Sequence, residues 1–306
     1  MTEANKGNMV VNIQDLSRKF RRKQALENVS LAIPRGVVYG LVGENGAGKT
    51  TLLKHILGSL RPQEGRVRVF DRDPVAEPVA VLARIGYLSE DRDMPGWMRV
   101  RELMRYTQAF YPAWDEAYAE ALRERFMLDP DAKIKTLSRG ERAKCGLLAA
   151  LAYRPPLLLL DEPSSGLDPS ARRDILEAIV RTVADEGRTV LFSSHLLDEV
   201  ERVADVVAMI HHGKVVFEEE LDSVKVRHTR LLVSLPDAGA PTPRLTGQVH
   251  ASGGGREWTL VCEGDPEALR VEAASKGLTI LEGETPSLED IFLAHVSPGN
   301  KKDATA

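Results

Sequence analysis

The chain has 306 residues, with 41 Lys and Arg against 45 Asp and Glu and a formal net charge of -4. That length suits two domains with an ample core, and without a dominant lysine or arginine stripe nothing in the composition favours nucleic-acid binding. The two cysteines, Cys145 and Cys262, lie far apart without metal-type neighbours, which points to a reducing compartment. The start Met1-Thr2-Glu3-Ala4-Asn5-Lys6 lacks an apolar leader, and no stretch approaches the ~20 apolar residues of a membrane span, so a membrane role is expected only through another chain.

The first strongly patterned element is Val37-Val38-Tyr39-Gly40-Leu41-Val42, which reads as a buried strand. Thr51-Leu52-Leu53-Lys54-His55-Ile56-Leu57 reads as a helix with one apolar face. Between them Gly43-Glu44-Asn45-Gly46-Ala47-Gly48-Lys49-Thr50 fits the pattern G-x-x-x-x-G-K-[ST] in the strand-loop-helix setting it needs. Glycines let the backbone wrap a polyphosphate closely, so that N–H groups and the positive end of the helix dipole face the anion. Residues Gly43 to Thr51 are therefore expected to contact a nucleoside triphosphate, Lys49 at the β- and γ-phosphates and Thr50 also at Mg²⁺. Such a loop by itself leaves kinase, GTPase, helicase and transport ATPase open.

From about Asp91 to Leu128 the strand-helix alternation gives way to helical sequence, with Asp115-Glu116 opening Ala117-Tyr118-Ala119-Glu120-Ala121-Leu122. Trp97, Met98, Phe110, Tyr111 and Trp114 gather in that region, where core packing is the first reading and an exposed subset would suit a docking groove. Leu137-Ser138-Arg139-Gly140-Glu141 precedes an alanine-rich apolar run and places Ser138 and Gly140 at a helix N-terminus, a second site for an anion, with an ordinary Ser N-cap and a nearby Glu as the competing reading. Leu157-Leu158-Leu159-Leu160 then reads as a strand buried on both faces, ending in Asp161-Glu162 at the edge where ligands of open α/β sheets bind. Asp161 is expected to hold Mg²⁺ through its water shell and Glu162 to take a proton from the attacking water. Thr189-Val190-Leu191 is a further strand, leading through Phe192-Ser193-Ser194-His195 into an acidic helix with Asp198, Glu199 and Glu201.

Past Leu221 the character changes. Arg230 to Leu235 and Glu257 to Cys262 read as strands, joined by Pro-rich and Gly-rich connections. Asp265-Pro266 opens one helix and Ser287 with Asp290 caps a last one.

Taken in order, the phosphate loop, the segment around Ser138 and the acidic strand end resemble the ATP-binding cassette family, over about 70% of the chain. The family's signature is close to L-S-G-G-Q; Ser138 and Gly140 match it, while Arg139 and Glu141 depart. The resemblance implies that Ser138, Arg139, Gly140, Glu141 and Asp168, the last in Ser165-Gly166-Leu167-Asp168-Pro169, contact ATP across a dimer interface, and that His195 is the switch histidine at the γ-phosphate. Phe20, before Ala25-Leu26-Glu27-Asn28-Val29-Ser30, stands where the family commonly stacks an aromatic on adenine, with a plain core Phe as the competing reading. Ile85-Gly86-Tyr87-Leu88-Ser89-Glu90 occupies the family's glutamine loop with Glu90 in place of the glutamine, or with the register displaced by one residue; a carboxylate there still accepts hydrogen bonds from metal-bound water.

The implied fold is α/β: a P-loop NTPase cassette over residues 1–220 with a mixed central sheet, an antiparallel β subdomain and a helical arm at about 91–150, followed by an accessory α+β domain at 221–306. The implied function is ATP hydrolysis, with ATP and Mg²⁺, by a subunit that works as a head-to-tail homodimer or heterodimer on the inner face of the cell membrane and powers a separate integral membrane permease. Pro286-Ser287-Leu288-Glu289-Asp290-Ile291-Phe292 resembles the end of cassette subunits from bacterial exporters. Two readings compete: a cassette ATPase acting on a soluble partner, which predicts a basic face or a long coiled-coil insertion that the sequence lacks, and a nucleotide sensor without turnover, against which Lys49, Asp161, Glu162 and His195 argue.

Overall fold

A computed structural model describes residues 9–91, 93–184 and 187–296. It divides into two compact units, Met1–Glu218 and Glu219–Ala306.

In the first unit the chain runs β1 (Met9–Phe20), β2 (Lys23–Pro34), β3 (Val38–Val42), α1 (Lys49–Ile56), β4 (Glu64–Val69), α2 (Pro78–Leu82) and β5 (Ile85–Leu88). It continues through α3 (Val100–Gln108), α4 (Glu116–Arg125), α5 (Arg139–Leu151), β6 (Leu157–Asp161), α6 (Pro169–Ala184), β7 (Thr189–Ser194), α7 (Leu197–Val203), β8 (Val206–His211) and β9 (Lys214–Glu220). The six-stranded central sheet has the order β5-β6-β7-β3-β8-β9, and β5, β6, β7, β3 and β8 pair in parallel. His212 and Gly213, both with positive φ, turn the chain back into β9, as a two-residue hairpin requires. A separate antiparallel sheet has the order β2-β1-β4. One core joins both sheets, with Val11, Ile13, Leu26, Leu41, Leu52, Leu53, Leu157 and Leu159 all buried. The four leucines of β6 are fully covered, each worth about 1.5–3 kcal/mol relative to exposure, and this makes the strand a rigid mount for the acids at its end.

The helix after the phosphate loop begins at Lys49 rather than Thr51, because the last residues of the loop are its first turn. The helical region contains α3, with Asp115 capping α4 through a hydrogen bond from the Tyr118 N–H.

The second unit contains α8 (Leu221–Arg227), β10 (His228–Ser234), β11 (Gln248–Gly254), β12 (Glu257–Glu263), α9 (Pro266–Ser275), β13 (Thr279–Glu284) and α10 (Leu288–Val296). Its antiparallel sheet has the order β11-β12-β10-β13. Leu231, Val233, Leu260, Cys262 and Leu269 form a core of its own. Asp265 caps α9, and the Ser287 and Asp290 side chains bond each other's backbone N–H at the start of α10. Among the described residues no helix is long and apolar enough to cross a membrane.

Candidate functional site

The turn between β3 and α1 has no room for side chains at two of its glycines. A Cβ on Gly43 would meet the Ile210 carbonyl oxygen at 2.3 Å, and one on Gly48, at φ +117, would meet the Ala25 carbonyl oxygen at 2.6 Å. Gly48 is also the N-cap of α1, with no side-chain cap and no acid in the first turn, so the helix's first N–H groups remain available for an anion. Phe20, Glu44, Asn45, Gly46, Gly48, Lys49, Thr50, Thr51, Glu90 and Glu162 line a cavity of about 340 Å³ over this turn, while Gly43 and the buried Ala47 stand behind it. Phe20 is 41% exposed and carries the Arg18 guanidinium over its ring at 4.6 Å, so it is a rim aromatic and not a core one.

The end of β6 faces the same space. Lys49 is buried, its Nζ donating to the Gly43 carbonyl at 2.5 Å and lying 3.0 Å from Glu162 Oε1. The other oxygen of Glu162 accepts from His195 Nδ1–H at 2.7 Å. Glu162 sits at φ +48, a left-handed conformation that costs an ordinary residue about 1–2 kcal/mol. Ser193 compensates locally: its Oγ accepts the Glu162 N–H at 3.0 Å and donates to Asp161 Oδ1 at 2.7 Å. Lysine, carboxylate and imidazole thus form one chain of contacts, with Asp161 held beside it. A carboxylate that accepts from an imidazole on one oxygen and faces a lysine with the other is fixed in orientation, as a proton acceptor needs to be.

The remaining predicted residues gather elsewhere. Ser138, Arg139, Gly140, Glu141 and Asp168 do not line the cavity. Ser138 caps α5, its Oγ accepting the Glu141 N–H at 3.2 Å while Glu141 Oε2 accepts the Ser138 N–H at 2.8 Å. Glu141 is occupied in this reciprocal cap, and the Ser138 N–H holds its carboxyl below the usual range. Gly140 packs against the start of α6, where a Cβ would come within 2.7 Å of Ala171 Cβ. Asp168 caps α6 through Oδ1, which accepts the Ser170 and Ala171 N–H groups at 3.0 Å each.

The ABC transporter family profile matches residues 26–165, from β2 through the acidic end of β6. The ABC transporter ATP-binding protein NatA of Bacillus subtilis (strain 168) is 35% identical over 225 residues, 70% of this chain and 91% of that protein. The chain belongs to the ABC transporter family. It is an ATP-binding subunit of that family, whose reaction is ATP hydrolysis coupled to transport. The daunorubicin/doxorubicin resistance ATP-binding protein DrrA of Streptomyces peucetius is 36% identical over 69% of this chain, and the match spans 65% of that relative's length. The Nod factor export ATP-binding protein I of Sinorhizobium fredii (strain NBRC 101917 / NGR234) is 29% identical over 94% of this chain and 86% of that protein, so the similarity reaches into the second unit. A solved structure of the ATP-binding subunit of an ABC transporter superposes with a TM-score of 0.65 at 29% identity, covering 71% of this chain and 92% of the other.

Three features of this ABC cassette were not singled out from sequence. Ser193 orients both acids, and its signal is its place in register opposite Asp161 on the neighbouring strand. Lys23 adds a cation to the cavity wall. Glu199, almost fully buried, takes the Ser164 hydroxyl on one oxygen and faces Arg172 Nε at 3.0 Å with the other, while burial raises its pKa. Of the aromatics in the helical region, Trp97 and Phe110 are exposed, Met98 is buried and Tyr111 stacks on Tyr153 at 3.6 Å. Tyr111 and Tyr153 form part of a groove of about 610 Å³ whose lining also includes Tyr87, Ser89, Asp93 and Leu103.

Proposed function

We propose that this chain is the ATP-hydrolysing subunit of an exporter whose permease is a separate chain, and that it works at the inner face of the membrane as a head-to-tail dimer. Residues 1–220 act as the cassette, with the arm at 91–150 directed to the permease, and residues 221–306 as an accessory domain. The observation that carries this reading is the division of the predicted residues into two groups. The phosphate loop and Glu162 share one cavity, His195 is bonded to Glu162 beside it, and the Ser138 helix terminus and Asp168 stand outside it. A second chain is needed to bring the two groups onto one nucleotide.

In this reading the backbone of residues 43–51 and Lys49 hold the phosphates, and Phe20 stacks on the base. Glu162 takes the proton of the attacking water, and His195 keeps Glu162 oriented while reaching the γ-phosphate. Thr50, Glu90 and Asp161 offer oxygen donors only, a set that suits Mg²⁺. When bound, Mg²⁺ neutralises charge on the β- and γ-phosphates. The groove beside Tyr87 and Tyr111 supports docking of a permease loop, and the Nod factor export relative, similar along most of both chains, supports export.

The test is complementation. Lys49→Ala spoils the phosphate loop and Ser138→Arg spoils the signature, so each homodimer lacks turnover. Mixing the two variants rebuilds one complete site per mixed dimer and restores ATPase activity. No recovery on mixing would remove the head-to-tail arrangement.

A further inference from the structure

The second unit contains a cluster that ATP chemistry does not use. His228 opens β10 and Glu263 closes β12, and the two are cross-strand partners in the antiparallel register. His295 comes from the last turn of α10. One potential ligand atom from each of the three lies within 4.8 Å of the other two. His228 Nε2 is 3.3 Å from Glu263 Oε1, and His295 Nε2 is 3.9 Å from the same oxygen.

The state of His228 is decided by its other nitrogen. The ring is 2% exposed, and Nδ1 lies 2.7 Å from the Val224 carbonyl oxygen, which can only accept. Nδ1 therefore carries hydrogen, and in the neutral ring Nε2 presents a bare lone pair. That nitrogen is buried and makes no hydrogen bond, although a carboxylate lies close by. A lone pair taken out of water without a donor is a cost that folded proteins seldom leave unanswered. An imidazole whose Nδ1–H is held by a backbone carbonyl while Nε2 points at a carboxylate and a second imidazole has the arrangement of a metal-binding histidine with its orienting partner.

We infer that His228, Glu263 and His295 form a binding site for a divalent transition-metal ion of the zinc type. Two imidazoles and one carboxylate suit Zn²⁺, whose bonds of about 2.0–2.1 Å in a tetrahedron set ligand separations near 3.4 Å. The His228–Glu263 edge already has that length, and the α10 end closes by a shift of about 1 Å. Glu263 is 39% exposed, which leaves a fourth position open to water. The neighbouring Arg227 lies between two acids, with Nη1 2.5 Å from Glu219 Oε2 and Nε 3.8 Å from Glu263 Oε1, so the two carboxylates offset the guanidinium and leave one net negative charge for the ion. The metal would fasten α10 to the end of two strands. This site is independent of the nucleotide reading.

The experiment uses the full chain without an affinity tag, stripped by chelator and titrated with Zn²⁺ in the absence of nucleotide, with Co²⁺ as the spectroscopic probe. One equivalent is expected to bind in the micromolar range or tighter, with the visible absorption of tetrahedral Co²⁺. At Zn²⁺ a hundredfold above its dissociation constant, the unfolding equilibrium of the second unit shifts about 100-fold towards the folded state. Glu263→Gln and His295→Ala, both at partly exposed positions, weaken binding at least tenfold and cut the shift to about 10-fold or less, with far-UV circular dichroism and a cooperative unfolding transition in chelator reporting an intact second unit. His195→Ala and His250→Ala bind Zn²⁺ as the parent does. Absence of a stoichiometric site in the parent overturns the proposal. So does equal binding by the parent and the Glu263 and His295 variants, or loss of the equivalent in His195→Ala.

Discussion

Lys49 Nζ and Glu162 Oε1 stand 3.0 Å apart, both side chains 5% exposed, so the lysine of the loop after β3 and the acid at the end of β6 are each other's partner. A buried pair of this kind is costly to break one-sidedly. On the proposed function, incoming phosphate would take Lys49 from Glu162 and leave the acid free to face water.

Glu162→Gln is therefore expected to keep ATP binding, and to tighten it, because the amide holds Lys49 less strongly. Turnover falls by about 10²–10⁴ because the proton acceptor is gone. Equilibrium binding and steady-state ATPase assays on the same preparation check both halves; parental turnover would contradict the role given to Glu162.

Ser193→Ala removes the hydroxyl that orients Asp161 and the Glu162 backbone. A hydrogen bond to a charged group is worth ~1.5–3 kcal/mol, so kcat drops by about 10–100-fold. ATP affinity changes little, since Ser193 does not line the cavity. A larger effect on affinity than on kcat would count against this positioning role.

At the signature, Glu141→Gln preserves the reciprocal cap, whereas Glu141→Ala loses it at a cost of about 0.5–2 kcal/mol. Thermal unfolding separates the two variants. Arg139→Gly combined with Glu141→Gln then tests the chemistry without disturbing the helix start, and ATPase activity is expected to rise. An unchanged or lower rate would mean that the native pair is already competent.

Stability should weaken on the acid side through His55. Burial lowers its pKa below the ordinary 6.5, and its Nδ1–H is held by the Thr51 carbonyl at 2.8 Å. The unfolded chain therefore takes up the proton first, and this contribution is present above about pH 6.5 and lost as the pH falls through the folded value. His55→Gln, with no proton to gain, narrows the difference between melting temperatures at pH 7.5 and 5.5.

The phosphate loop and the acidic end of β6 were legible because their requirements are local. Glycine positions, a lysine and a strand of four leucines are all written in contiguous residues. Ser193 was not, since its partner Asp161 is supplied by the pairing of β6 with β7. In the second unit β10 and β12 showed themselves by their apolar content, while β11 and β13 did not. Those two are the edge strands, mostly uncovered, and edge positions do not impose an alternating apolar pattern. The cluster of His228, Glu263 and His295 was hidden for the same reason as Ser193: one contact comes from strand register and the other from a helix more than thirty residues further on. At Glu141 the sequence left a helix cap and a signature contact both open, and within the single chain the cap is formed.

Glu199 ties three pieces of chain to one carboxylate: Ser164 from the segment after β6, Arg172 from α6, and α7, on which it sits. The loop bearing His195 leads directly into α7, and the turn bearing Asp168 leads directly into α6. One buried side chain therefore joins the helix that follows the His195 loop to the helix that follows the Asp168 turn, so the roots of both loops are held by the same carboxylate.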